Sequence, residues 1–192
     1  MRACSARAPG YAVHARMGPK DVYWFVRDGV CEKVRDLVAD GRAFFYTSMR
    51  EENARPIVDH IAPGAIVLGQ RYNKRDPVES AKRGHDAFTR DEETMRIGMQ
   101  DHGFDRDAHV VFVDNEVRKV ARAMSARATA VIVPTMGAEN DSAEYAAAWI
   151  DFAARLEPAR TFTYAYTYVF EYGKSGLVLA KVQADEAVPS KS

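Results

Sequence analysis

The hydrophobic pattern of this chain predicts one domain of mixed α/β (α+β) class, a curved and largely antiparallel sheet with flanking helices. Three observations carry that prediction. Apolar residues recur with a period of two in several short segments and with a helical period in the segments between them. Residues 161–172, TFTYAYTYVFEY, alternate strongly and lead through Gly173, Lys174, Ser175 and Gly176 into a partner run, LVLAKV, which is hairpin chemistry. At 192 residues and 47% hydrophobic content, the chain suffices for one sizeable core.

The elements follow in order. Residues 1–16, MRACSARAPGYAVHAR, are basic and lack the continuous apolar segment of a signal peptide, so they are expected to be a disordered, flexible arm or a misassigned upstream extension ahead of Met17. The domain is then expected over 17–184, with a frayed tail over 185–192. Residues 22–26 are aromatic and β-branched and suit a buried strand. Val30, Val34, Leu37 and Val38 share one helical face, and Gly41 is placed to close that helix in a left-handed cap. Residues 43–47 return to strand character. A helix is expected over 51–61, with Pro56 near its first turn; Pro63 and Gly64 then turn the chain into a strand that starts at Ala65 and continues toward Arg71 and Tyr72. Residues 73–107 are dense in charge and glycine and read as a surface excursion with one helix, opened by a capping box from Thr89 to Glu92. Strands are expected over 109–114 and 130–134, with a helix between them on Val117, Val120, Ala121 and Met124. Asp141 or Ser142 caps a further helix whose stripe is Tyr145, Trp149, Phe152 and Leu156.

Composition narrows the function. The 27 basic and 27 acidic side chains cancel, so no global field holds a polyanion or a membrane surface, and a nucleic-acid reader needs a local basic face. Cys4 and Cys31 form no CxxC pair, and no apolar run approaches the length of a membrane span. A cytoplasmic protein without membrane, metal or cofactor is the expectation.

Tyr23, Trp24 and Phe25, then Asp36 and Leu37, Asp40 and Gly41, Arg50, Ala54 and Arg55, and Gly64 fall in an order and spacing that resembles the EVE domain, one of the PUA-like β-barrel modules. That family carries an aromatic strand YWL, a helix ending in Asp-Gly, a loop R-N-Y-Q-A-R and a glycine before a strand. Glu51, Glu52 and Asn53 stand here where the family has Asn-Tyr-Gln, and Ala65 follows Gly64 where it has aspartate. The resemblance implies a small barrel that recognises a flipped or unpaired DNA or RNA base, modified or unmodified. Flat side chains stack on bases and guanidinium groups attract phosphates. By position the resemblance puts Trp24 on the pocket floor and Arg50 and Arg55 at its mouth. Tyr46 and Tyr72 are stacking candidates by their chemistry alone. Each has a structural counter-reading: a mid-strand tryptophan packs in a core, and arginines flanking Glu51 and Glu52 form surface pairs. Arg71, Lys74 and Arg75 make the densest local basic cluster, answered at once by Asp76 and Glu79, as in a solvated loop.

An enzyme is the second reading. Asp59, His60, Ile61 and Pro63 resemble the DHIxP opening of HNH nucleases, with Asn73 thirteen residues after His60 and His85 twelve further on. The resemblance implies His60 as general base, Asp59 and His85 on a divalent metal, and Asn73 as an orienting group. Against it, AIVLG after the proline reads as a buried strand, and a histidine at a helix end has capping or packing roles. His102, Asp105, Asp107 and His109 bring four metal-ligand types close together, in a glycine-bearing turn whose charges are equally those of a solvated loop. The Lys174–Ser175 turn lacks the spacing of a phosphate loop. A binding module therefore ranks above an enzyme, and a protein-interaction domain is the third possibility.

Overall fold

The computed structural model describes residues 10–17, 20–27, 29–115, 127–133, 148–155, 164–173 and 176–186. The α+β class is as expected, but the sheet form differs. Among the described residues no barrel closes, and parallel pairings are as frequent as antiparallel ones. The four-stranded sheet runs β10–β9–β8–β7, from β7 (Val110–Asp114), β8 (Ala128–Ile132), β9 (Tyr164–Gly173) and β10 (Gly176–Glu186). Its β7–β8 and β8–β9 pairs are parallel, and only the β9–β10 hairpin is antiparallel, with Gly173 opposite Gly176. The alternating segment read from the sequence is thus a hairpin, attached to strands whose direction their own pattern does not encode. The helix expected on Val117, Val120, Ala121 and Met124 lies outside the described residues, as do Tyr145 and Leu156. Of the last predicted helix, Ala148–Arg155 is described as α5, and its Phe152 ring meets Tyr168 edge-on at 5.2 Å between centroids.

Residues 10–16 are not an unstructured arm. Gly10–Met17 forms β1, paired antiparallel along its length with β2 (Lys20–Arg27). Val13 and Val26 are buried together with Cys31, and Trp24 packs against them with Ile57 and Ile61. Alanine and valine between arginines gave β1 no strong strand pattern; its partner supplies the ladder.

Helix α1 (Val30–Ala39) ends as predicted. Gly41 has φ +67°, its N–H donates to Val38 O at 3.0 Å, and Arg42 N–H donates to Leu37 O at 2.8 Å, the paired bonds of a Schellman cap. The next unit positions the site. β3 (Phe45–Tyr46) leads into α2 (Glu51–Ile61), which returns the chain to β4 (Val67–Leu68), parallel to β3. Alternation gives this pair two apolar faces. Phe45, Ala65 and Val67 pack with Ala54 and Val58 of α2, with Ala62 just past its end, and with Val34 and Val38 of α1. Phe44, Tyr46, Ile66 and Leu68 pack on the other side with Met95 and Met99 of α4 (Glu92–Asp101) and with Val110 and Phe112 of β7.

β4 is shorter than expected. After Gly69 a 3-10 turn over Gln70–Tyr72 swings Tyr72 into the core, where it is 5% exposed. The charged excursion holds more structure than the one helix expected. β5 (Asn73–Arg75) pairs antiparallel with β6 (Phe88–Arg90), and α3 (Pro77–Arg83) spans them. Asp76 caps α3 by accepting from Val78 N and Glu79 N, both at 3.0 Å, with Pro77 in the first turn. The N-cap of α4 is Asp91, which accepts from Thr94 N at 3.1 Å, and not Thr89, which lies in β6. No described helix is long and apolar enough to cross a membrane.

Candidate functional site

The loops that leave β3 and β4 meet at their carboxyl ends. Gln70 N–H donates to Met49 O at 2.7 Å, and a Cβ on Gly69 would stand 3.0 Å from Glu51 N and 3.2 Å from Met49 O, so a larger residue would push the two loops apart by a few tenths of an ångström. Asn73 ties them further. Its Nδ2 donates to Thr47 O and to Gly69 O, both at 2.9 Å, and the residue is 7% exposed. In an α/β unit the carboxyl ends of parallel strands form the crevice in which ligands are held. Ser48 and Gln70 are the residues found there.

The excursion folds across this edge and makes two adjoining clefts. The smaller, about 210 Å³, lies between Ser48 and Gln70 on one side and Arg83, His85 and Thr89 on the other, with Glu79 and Asp86 also in its wall. The larger, about 650 Å³, is lined by Arg75, Pro77, Ser80, Ala81 and Gly84. His85 and Asp86 belong to both. Ser80 braces the loop between them: its Oγ donates to Asp76 O at 2.6 Å and accepts from Ala87 N at 2.8 Å.

The cluster is exposed and rich in paired charge. Between Arg71 and Arg90 stand Lys74, Arg75, Lys82 and Arg83, against Asp76, Glu79 and Asp86. Asp76 is committed to its cap. Glu79 meets Lys82 at 3.0 Å and Arg83 at 3.3 Å, and the hydrogen bond from Lys82 is the main cause that holds its carboxyl below its ordinary pKa. Arg75 meets Asp86 at 2.6 Å, but with side chains 65% and 59% exposed the pair is worth at most about 1 kcal/mol. A phosphate can displace such a partner.

The residues singled out from the sequence do not gather in one place. Trp24 belongs to the β1–β2 core. Tyr46 and Tyr72 do come together, inside the layer below the clefts. Tyr46 Oη lies 2.9 Å from Tyr72 O and accepts from Asp91 N at 2.8 Å, and burial raises its pKa. Tyr72 Oη donates to Asp101 at 2.9 Å, takes a bond from Arg71, whose guanidinium lies 4.4 Å over the ring, and is likewise raised by burial. Its ring packs under Gly98, where a Cβ would stand 2.9 Å from it. Arg50 is exposed at the start of α2, 3.8 Å from Glu52. Arg55 bonds Glu51, lies 3.7 Å from Asp59 and donates to Ala65 O at 2.7 Å, which ties α2 to the entry of β4.

His60 is in the last turn of α2, about 13 Å along the axis from the end where Asn73 holds the two loops. The Asn73 amide hydrogens are taken by backbone carbonyls, and His85 lines the clefts with its Nδ1 3.1 Å from Asp86 O. His60, Asn73 and His85 therefore do not share a site. His102, Asp105 and Asp107 are exposed, while His109 Nε2 is 2.9 Å from Thr129 Oγ1. Among the described residues no three His, Cys, Asp or Glu side chains are grouped to hold a metal.

Comparison of the chain with protein-family models, curated proteins and solved structures finds no match. Ser48, Gln70, Ser80 and Arg83 were not singled out from sequence, and Thr89 was read only as a helix cap. The usable signal was the order strand, helix, strand over 43–68: read as a parallel unit, it marks Ser48 and Gln70 as crevice residues.

Proposed function

We propose that the protein is a nucleic-acid binding module that takes an unpaired nucleotide in the double cleft around His85 and Asp86. The observation that carries this reading is the continuity of the two clefts, with Arg75 and Arg83 beside their shared wall. The larger cleft has the volume of a ligand pocket, whereas the smaller falls below that range. Unstacked bases lie against the flat faces of arginine and histidine, and phosphates attract exposed cations. Arg75 and His85 supply the flat faces, and Arg83 supplies charge in the smaller cleft. The chain has zero formal net charge, and Arg75 and Arg83 in the cleft walls are answered by Asp86 and Glu79, so a phosphate binds there by exchanging with exposed ion pairs. The support is independent of the resemblance to the EVE domain, whose implied pocket residues lie elsewhere.

Fluorescence anisotropy with single-stranded and duplex oligonucleotides tests it. Binding should favour single strands and weaken with salt, at a logarithmic slope of about 0.7 per phosphate contacted. Arg75→Ala and His85→Ala should each weaken binding several-fold with circular dichroism unchanged. Absence of binding to every strand at low salt would sink the proposal.

A further inference from the structure

Building on the nucleic-acid reading above, we infer that the smaller cleft receives a terminal phosphate, so that the ligand is a strand end and not the interior of a strand. Three observations lead there. The first is size: at about 210 Å³ the cleft admits a phosphoryl group with part of a sugar, while the adjoining cleft of about 650 Å³ admits the base.

The second is closure. The wall between Ser48 and Gln70 is a backbone seam, made by the Gln70 N–Met49 O hydrogen bond and the approach of Gly69 to Glu51 N. The seam closes the cleft on that side, opposite His85, so that a group entering from the His85 side meets a backbone wall; a chain terminus fits such a dead end better than an internal phosphodiester.

The third is the donor set. Ser48, Gln70, Arg83, His85 and Thr89 come from the ends of β3 and β4, from α3 and its following loop, and from β6. A phosphate monoester carries close to two negative charges and three acceptor oxygens. A diester offers fewer free oxygens and one charge. The carboxylates of Glu79 and Asp86 oppose any anion, but each is already paired, Glu79 with Lys82 and Arg83 and Asp86 with Arg75.

The experiment compares oligonucleotides of one sequence bearing a phosphate or a hydroxyl at the 5′ end, and separately at the 3′ end, with the fluorophore at the opposite end. One phosphorylated end should bind the full chain at least about fivefold more tightly than its hydroxyl counterpart, a difference of about 1 kcal/mol. Ser48→Ala and Arg83→Gln should bring that ratio toward one, and excess inorganic phosphate should abolish it in the parent protein. Equal affinities for phosphate and hydroxyl ends would overturn the inference while leaving nucleic-acid binding intact. A ratio that persists in both variants would place the phosphate elsewhere and overturn it too. Binding of neither strand would remove both proposals.

Discussion

The β3–β4 layer and the β5–α3–β6 excursion are consecutive in the chain and opposite in character. In the layer, Val67 is 1% exposed, and Leu68 and Met95 are 0% exposed, although each strand is only two residues long. In the excursion, α3 buries none of its residues, and Val78 is 61% exposed. The layer is held by apolar contact on two faces, the excursion by caps, one short ladder and the Ser80 bridge. This difference separates stability from chemistry: the layer provides a fixed wall at its carboxyl edge, and the charged groups facing that wall can change without disturbing the core. Asn73 sits at the junction, where β4's turn becomes β5.

The largest effects should come from charge buried in the layer. Arg96 is 7% exposed, bonded to Glu92 through Nε at 2.8 Å and to the carbonyls of Arg106, Ala108 and Arg127. Arg96→Leu removes a nearly buried guanidinium from Glu92 and from three backbone carbonyls and should cost about 3–5 kcal/mol in urea unfolding. Met95→Ala, which empties a site between Leu68 and Val110, should cost about 2–5 kcal/mol. A loss below about 1 kcal/mol for both would break the view that this layer carries the fold. Asn73→Ala removes the side-chain donor from the carbonyls of Thr47 and Gly69, the latter keeping the Tyr72 N–H, and should cost about 1–3 kcal/mol. Because it loosens the seam, it should also lower the preference for phosphorylated ends, an effect that Met95→Ala should not share.

How much of this was legible in the sequence follows the same division. The α1 cap at Gly41, the β9–β10 hairpin and the strand at 110–114 were readable because local pattern and local chemistry agree there. Strand direction was not, since a two-residue strand such as β3 carries no periodicity and its pairing with β4 depends on α2 packing beneath both. Tyr72 looked like an accessible stacking residue because nothing local announces the 3-10 turn that buries it. Thr89 looked like a cap because its spacing from Glu92 fits, but Asp91 lies closer to the helix and offers a carboxylate. Around the clefts, Arg75 and His85 were visible as types and read as part of a solvated loop and as a metal ligand; the structure keeps Arg75 exposed and paired with Asp86 and does not bring His85 together with His60 and Asn73. Their meaning depends on Ser48 and Gln70, which are distant in sequence and brought near only by the βαβ crossing.

A smaller effect should appear in the pH dependence of the layer. Burial is the main cause that lowers the pKa of His109, with the Arg96 charge adding to it and Glu92 opposing. The folded state therefore binds its proton at lower pH than the unfolded state, whose histidine titrates near about 6.5. Stability is then undiminished above that value, falls as pH drops through it, and stops falling below the folded pKa. His109→Gln should flatten the fall between about pH 7 and 5 measured by thermal unfolding, because glutamine does not titrate. An unchanged slope would show that His109 does not limit stability there.

The smallest stability effect, and the one that bears most directly on the division between layer and excursion, is expected for Asp86→Asn. Its carboxylate meets Arg75 in the wall common to both clefts, with both side chains mostly exposed. If the pair is a surface contact, its removal should change unfolding free energy by no more than about 0.5 kcal/mol. Removing one negative charge from the wall should at the same time strengthen oligonucleotide binding about two- to fivefold at low salt, since a unit charge at contact distance in water is worth about 1 kcal/mol. That gain should shrink as salt rises, because exposed charges are screened over about 8 Å at physiological ionic strength. The opposite result, a clear loss of stability with weaker binding, would mean that Arg75 and Asp86 hold the excursion in place, and the boundary between framework and site would move outward to include them.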